Sequence, residues 1–257
     1  MHGHTARKRF GQNFLVDAHY VTKIVDAIEP QPGDNLVEIG PGLAALTGRL
    51  IERAGRIHAI EIDRDLAQRL AAQFPPDKLT LHVADALAFD YASLGPRLRV
   101  VGNLPYNISS PLLFRLAECE SQLLDLHVML QREVVARMTA RPATPDYGRL
   151  SVMLQAKFAI RRLFVVPPGA FQPAPKVDSA VARLVPLGAA KPAIADEALF
   201  ARIVAAAFGQ RRKTMRNALA AICDANALIA AGIDPGARGE TLAVADFVRL
   251  ANSLSAV

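Results

Sequence analysis

The sequence predicts an α/β fold, a parallel sheet covered by helices on both faces, followed by a small all-helical C-terminal domain. Three observations lead there. Short apolar, β-type runs alternate with helical stretches of about ten residues through the first part of the chain. Glycines and acids recur just past the ends of those runs. From about Gly188 the strands give way to an Ala-rich helical pattern punctuated at Gly232, Pro235 and Gly239.

Taken in order, Val21 to Ile28 reads as an amphipathic helix and Asn35 to Ile39 as a short buried strand. Leu43 to Arg53 reads as a helix ending near Gly55, and Arg56 to Ile60 as the second strand. Asp65 to Gln73 is helical and stops before Pro75-Pro76, where the ring and the missing N–H end a helix. Leu79 to Val83, Leu98 to Val101 and Leu126 to Leu130 supply three more strands. Past Arg162 the pattern changes. Leu163–Val166 and Ala180–Val185 read as two antiparallel strands closing one edge of the sheet, with prolyl turns between them. The boundary is expected at 186–192, giving domains 1–187 and 188–257.

Composition narrows the classes of function. With 51% hydrophobic and 21% charged residues over 257 positions, the chain has a full-sized core and is not intrinsically disordered. Thirty basic against 24 acidic side chains give +6, which points to a polyanion such as nucleic acid, or to an anionic membrane surface. Two distant cysteines, Cys119 and Cys223, exclude a disulfide framework and a Cys-type zinc site, and suit a reducing cytoplasm. The basic start has no apolar stretch after it, so no secretory signal is expected. The most apolar region, Ala218 to Ile233, is interrupted by Asp224 and Asn226 and is too short to span a bilayer. A soluble, cytoplasmic protein without a metal is the expectation.

The chemistry gathers at the carboxyl ends of the strands, where open α/β sheets bind ligands. Glu38-Ile39-Gly40-Pro41-Gly42 follows the first strand and opens a helix, its glycines allowing a tight turn and close approach of a ligand. Glu61 ends the second strand, where an acid accepts hydrogen bonds from both ribose hydroxyls of a nucleoside. Asp85 follows the third and is suited to the amino group of an adenine. The turn also fits a degenerate dinucleotide pattern, so a nicotinamide dehydrogenase is a competing reading; no Gly-Lys-Ser/Thr follows, which excludes a P-loop.

Gly102-Asn103-Leu104-Pro105-Tyr106-Asn107, after the fourth strand, separates these readings. A side-chain amide oxygen and nearby backbone carbonyls form a ring of acceptors for an exocyclic amine, and the Tyr106 ring offers a face for a base. A dehydrogenase leaves this segment unexplained.

With these motifs in place, the chain resembles the ribosomal RNA adenine dimethyltransferases, and within them the bacterial 16S rRNA members. The resemblance spans nearly the whole chain: Arg7–Leu15, Val37–Thr47, Glu61–Asp63, the Asp85 turn, Gly102–Ser109, Phe171–Ser179 and Ala207–Asn217. No motif departs from the family's pattern, and the linking and C-terminal stretches are less distinctive.

The resemblance implies a Rossmann-like methyltransferase sheet and S-adenosylmethionine as cofactor. It implies that Asn13 and Leu15 close over the methionine part with Gly40 beneath it, that Glu38 and Gly42 complete this wall, that Glu61 holds the ribose and Asp85 the adenine. Asn103 then lies between cofactor and target amine, Leu104 and Pro105 supply carbonyl acceptors, and Tyr106 with Phe171 sandwich the base. The implied partners are 16S rRNA and the immature 30S subunit, met by a monomer, with two neighbouring adenosines of the 3′-terminal hairpin loop as targets.

Two acid-free basic stretches fit an RNA partner: Arg7-Lys8-Arg9, and Arg202 to Arg216 with Arg211, Arg212, Lys213 and Arg216. On a helix Arg212 and Arg216 would share a face. The rival readings are a non-enzymatic ribosome-assembly factor, which predicts damage at Gly40, Glu61 or Asn103, a 23S rRNA methylase acting on naked precursor RNA, and a DNA adenine methylase, for which no recognition insert is visible.

Overall fold

The computed structural model describes residues 13–210 and 212–255. Arg7-Lys8-Arg9 and Arg211, invoked above for RNA contact, lie outside the described residues.

The sheet grows from the apolar runs. Strands β2 (Asn35–Ile39), β3 (Ile57–Glu61), β4 (Leu79–Val83), β5 (Leu98–Asn103) and β6 (Leu123–Gln131) are parallel neighbours in the order β4-β3-β2-β5-β6. The central ones are buried on both faces, as a parallel sheet covered by helices requires; Val37, Ala59, Val100 and Val101 have no exposed surface. The edge is closed by β9 (Ser179–Pro186), antiparallel to β6, and then by β7 (Phe158–Val166). A separate two-stranded pair joins β1 (Phe14–Leu15) to β8 (Phe171–Gln172), with Leu15 opposite Phe171.

The helices begin where local chemistry supplies caps. Asp17 accepts the N–H groups of His19 and Tyr20 ahead of α1 (Ala18–Ile28), and Asp63 accepts that of Asp65 ahead of α3 (Arg64–Gln73). Between them, α2 (Thr47–Ala54) starts four residues later than the sequence pattern suggests. Positive φ at Gly40, Gly42 and Ala44 keeps the backbone in a turn until Thr47. Three helices were not read from the sequence: α4 (Ser109–Glu118), α5 (Arg132–Thr139) and α6 (Arg149–Gln155).

The chain divides into two compact units, residues 1–135 with 160–186, and 136–159 with 187–257. The sequence-based first domain, 1–187, therefore takes in a stretch, 136–159, that packs with the other unit. That second unit has its own core, in which Tyr147 and Val152 join Phe200 of α7 (Glu197–Gly209) and Phe247 of α10 (Val244–Ser255). Between those helices lie α8 (Met215–Ala218) and α9 (Ala225–Ala230). The basic segment does not form the expected stripe. Gln210 is extended, Lys213 N–H closes a turn on the Gln210 carbonyl, and α8 begins only at Met215, so Arg212 and Arg216 do not share a helix face. Among the described residues no helix is long and apolar enough to cross a membrane.

At the amino ends of the strands lies a buried ionic cluster. Arg99 of β5, 7% exposed, donates through Nε and Nη2 to both oxygens of Asp125 on β6, each at 3.0 Å. Its Nη1 reaches Asp34 at 2.6 Å, and Nη2 also reaches the Ile28 carbonyl at the end of α1 at 2.6 Å. Arg183 of β9 adds a second donor to Asp125 at 3.1 Å. Removing one partner of a buried pair strands the other charge and costs about 3–5 kcal/mol. Arg99→Ala is expected to destabilise the sheet unit by about that amount. Denaturant melts of the variant and the parent check it, a midpoint unchanged from wild type being the contrary result.

Candidate active site

At the opposite ends of the strands the turns after β2, β3, β4 and β5 enclose a cavity of about 250 Å³. Its floor is a glycine turn. Gly40 (φ +66) and Gly42 (φ +59) sit in the left-handed region that side chains avoid, and a Cβ on Gly42 would stand 3.1 Å from the Phe14 ring. The Gly40 N–H is tied to the Ile60 carbonyl at 2.9 Å, which locks the turn to β3.

Two carboxyls are buried in this wall. Glu61 accepts the N–H groups of Gly42 (3.2 Å) and Asp63 (2.9 Å), one on each oxygen, so its orientation is fixed by backbone. Glu38 receives the Thr47 hydroxyl on Oε2 at 2.7 Å. Asp85, exposed at the rim, accepts the Leu87 N–H at 2.9 Å through Oδ1, an arrangement that leaves Oδ2 for another partner.

The other half of the cavity is the Gly102–Asn107 segment. Asn103 Nδ2 donates to the Asn13 carbonyl at 2.9 Å, which fixes the amide plane and leaves Oδ1 as its accepting atom. Leu104 N–H binds the Met129 carbonyl at 3.1 Å, anchoring the segment to β6. The Pro105 carbonyl closes a turn with Ile108 N–H at 3.2 Å, and the Tyr106 carbonyl accepts the Ser109 hydroxyl at 3.1 Å. These turn bonds leave the Leu104 carbonyl open. Half-buried Tyr106 lines the cavity.

Of the residues singled out from sequence, Asn13, Leu15, Glu38, Gly40, Gly42, Glu61 and Asp85 line this one cavity, as do Asn103, Leu104, Pro105 and Tyr106. Phe171 does not. It is 4% exposed and packs in the core with Leu15, Met129 and Val181, because the β1–β8 pairing sets it opposite Leu15. The expected sandwich with Tyr106 is therefore absent from this structure. Sequence reasoning missed Thr47, the partner of Glu38, and Ser179, whose hydroxyl lies 2.6 Å from that of Tyr106.

The family described as ribosomal RNA adenine dimethylase matches residues 3–256. The chain belongs to that family. The dimethylase is 60% identical over 256 residues to "Ribosomal RNA small subunit methyltransferase A" of Aromatoleum aromaticum, covering 100% of this chain and 97% of that one. It is also 60% identical to the protein of the same name from Thiobacillus denitrificans, covering 95% of this chain and 96% of that one. Among solved structures it is similar to 23S rRNA methyltransferase ErmE, with a TM-score of 0.70 and 27% identity, covering 95% of this chain and 100% of that one. A dimethyladenosine transferase from Plasmodium falciparum shares the fold with a TM-score of 0.79 at 22% identity, covering 92% of this chain and 95% of that one.

The dimethylase is thus an rRNA adenine methyltransferase dependent on S-adenosylmethionine. Its residues fit that group. The side-chain-free floor at Gly40 and Gly42, two buried carboxyls and a rim carboxylate are what a nucleoside with a cationic tail requires.

The electrostatics of the wall bear on stability. Burial pushes the Glu38 carboxyl up to about 7; the Thr47 hydroxyl opposes this and the neighbouring Glu61 adds to it. Burial also raises Glu61, against the pull of the Asp63 and Gly42 N–H groups. An acid whose folded pKa is raised favours the folded state at low pH. That contribution is whole below about 4.5 and is lost as pH rises to about 7. In the ligand-free dimethylase, Glu38→Gln is therefore expected to gain stability over wild type across this interval, by about 3 kcal/mol at most. Melts of both proteins at each pH, compared as a difference so that other titrating groups cancel, check this; a difference independent of pH is the contrary result.

Proposed function

We propose that the dimethylase converts two adjacent adenosines in the 3′-terminal hairpin loop of 16S rRNA to their N6-dimethyl forms. Its substrate is an immature 30S subunit in the cytoplasm, and it acts as a monomer. The observation that carries this reading is the acceptor pair of Asn103 Oδ1 and the Leu104 carbonyl, opening beside Tyr106 onto the same cavity as Glu38, Glu61 and Asp85. The names of the 60% identical relatives favour the small subunit over the large one.

On this reading Glu61 holds the ribose hydroxyls of S-adenosylmethionine and Asp85 its adenine amine, while Asn13, Leu15, Glu38, Gly40 and Gly42 surround the methionine part. When bound, the cofactor supplies a sulfonium methyl that is already activated for transfer. The chain's task is alignment. The target base leaves its stack and lies on Tyr106. Asn103 Oδ1 and the Leu104 carbonyl accept N–H bonds from the amine, drawing its lone pair out of conjugation and toward the methyl. No side chain of Gly102–Asn107 is a proton acceptor of useful strength, so the proton displaced from nitrogen passes to solvent.

Asn103→Ala is expected to lower the methylation rate by about 10²–10³, the scale for one preorganised polar contact, with cofactor binding kept. Labelled methyl transfer to immature 30S subunits, with mass spectrometry of the modified nucleosides, reads this out. Near-normal turnover in the variant refutes the role of Asn103, and labelling of 23S rather than 16S rRNA refutes the substrate.

Exposed Arg212, Lys213 and Arg216 form no ion pair among the described residues and are suited to phosphate. Replacing Arg212 and Arg216 by Ala is expected to weaken RNA binding and flatten its salt slope by about 0.7–0.9 per lost contact. Titrations at several salt concentrations measure that slope, and an unchanged one assigns the RNA to another face.

A further inference from the structure

Tyr106 is carried by a turn, and turns are mobile unless tied down. Two hydroxyls tie it. Ser109 Oγ donates to its backbone carbonyl at 3.1 Å, and its phenol oxygen lies 2.6 Å from Ser179 Oγ. Ser179 itself has no exposed surface and belongs to the sheet. It pairs with Gln131 in the β6–β9 ladder, and the preceding Asp178 is held twice by Arg132, whose N–H reaches the Asp178 carbonyl at 2.9 Å and whose guanidinium reaches the carboxylate at 3.0 Å. The Ser179 hydroxyl is thus a fixed point on a rigid element, and the phenol is the movable partner. Burial pushes the phenol pKa up, so the group stays neutral.

We propose that Ser179 is a positioning residue for methyl transfer. By holding the phenol of Tyr106 it sets the plane of the ring on which the adenine lies, and this matters most for the second methylation. The proposal rests on reading Tyr106 as the surface for the base. Before the first transfer the amine has two N–H groups for Asn103 and Leu104. After it only one remains, the group is bulkier, and the stacking surface carries more of the alignment. A freely rocking ring therefore slows the second step more than the first. The same bond gives the Phe171–Ser179 segment a part in the reaction although Phe171 faces the core.

The bond can be deleted from either end. Ser179→Ala and Tyr106→Phe are each expected to slow the second methylation by roughly three- to tenfold, the scale of one neutral hydrogen bond. Both are expected to raise the monomethyl share of product on immature 30S subunits, with affinity for S-adenosylmethionine unchanged. The double variant is expected to be no slower than either single one, because both remove one interaction. Ser179→Thr keeps the hydroxyl and is expected to restore the product ratio. If its extra methyl prevents folding, Tyr106→Phe still tests the bond from the other end. Melting temperatures separate a structural from a positioning effect. Losses that add in the double variant, or Ser179→Ala with a lowered melting temperature and a wild-type product ratio, overturn the proposal and leave the stacking role standing. Wild-type turnover in Tyr106→Ala removes the stacking role as well.

Discussion

The site depends on a side chain that is not there. A Cβ on Gly102 would stand 2.5 Å from the Ile39 carbonyl, closer than real contacts allow. Only glycine lets the end of β5 press against the end of β2. This approach brings Asn103 beside the glycine turn, with its carbonyl 4.0 Å from where a Cβ on Gly40 would be. Two motifs distant in the chain become one wall of the cavity. The hydrogen bonds of Asn103 to Asn13 and of Leu104 to Met129 then finish what the close packing starts.

The sheet divides its labour between its two ends. At the carboxyl ends the strands fan into turns that leave polar groups open for ligands. At the amino ends Arg99 saturates its donors on Asp125, Asp34 and backbone carbonyls. The ladder between β5 and β6 is irregular there: Leu98 faces Leu123 but Arg99 faces Asp125, one residue having been skipped. That bulge is what sets the acid opposite the arginine. A buried salt bridge of this kind stabilises little compared with an apolar pair, but it penalises other registers, because a slip leaves charges without partners.

Much of this was legible because it is local. Asn35–Ile39 and Leu79–Val83 match the sequence reading to the residue, being short stretches rich in Leu, Ile and Val bounded by turn residues. The acids at strand ends could be found by position alone. What was missed depends on contacts distant in sequence. The start of α2 is delayed by Ala44, a left-handed residue that composition does not announce. Residues 136–159 follow the parallel strands in sequence but pack with the second unit, a choice no local periodicity encodes. Phe171 sits in a two-residue strand, too short to show which way its ring turns. Ser179 and Thr47 act through hydroxyl bonds to residues on other elements, and serine or threonine alone gives no such signal.

The two buried carboxyls also bear on turnover. Each methyl transfer turns a sulfonium into a thioether, so the spent cofactor carries one positive charge fewer than the fresh one while keeping nearly the same shape. Glu61 and Glu38 both line the cavity, so on the proposed placement the two forms differ to the wall in charge rather than in shape. Dimethylating one adenosine requires this exchange between the two transfers. On the proposed placement, the cationic, loaded form favours the ionised carboxyls that burial alone disfavours, and the neutral, spent form does not.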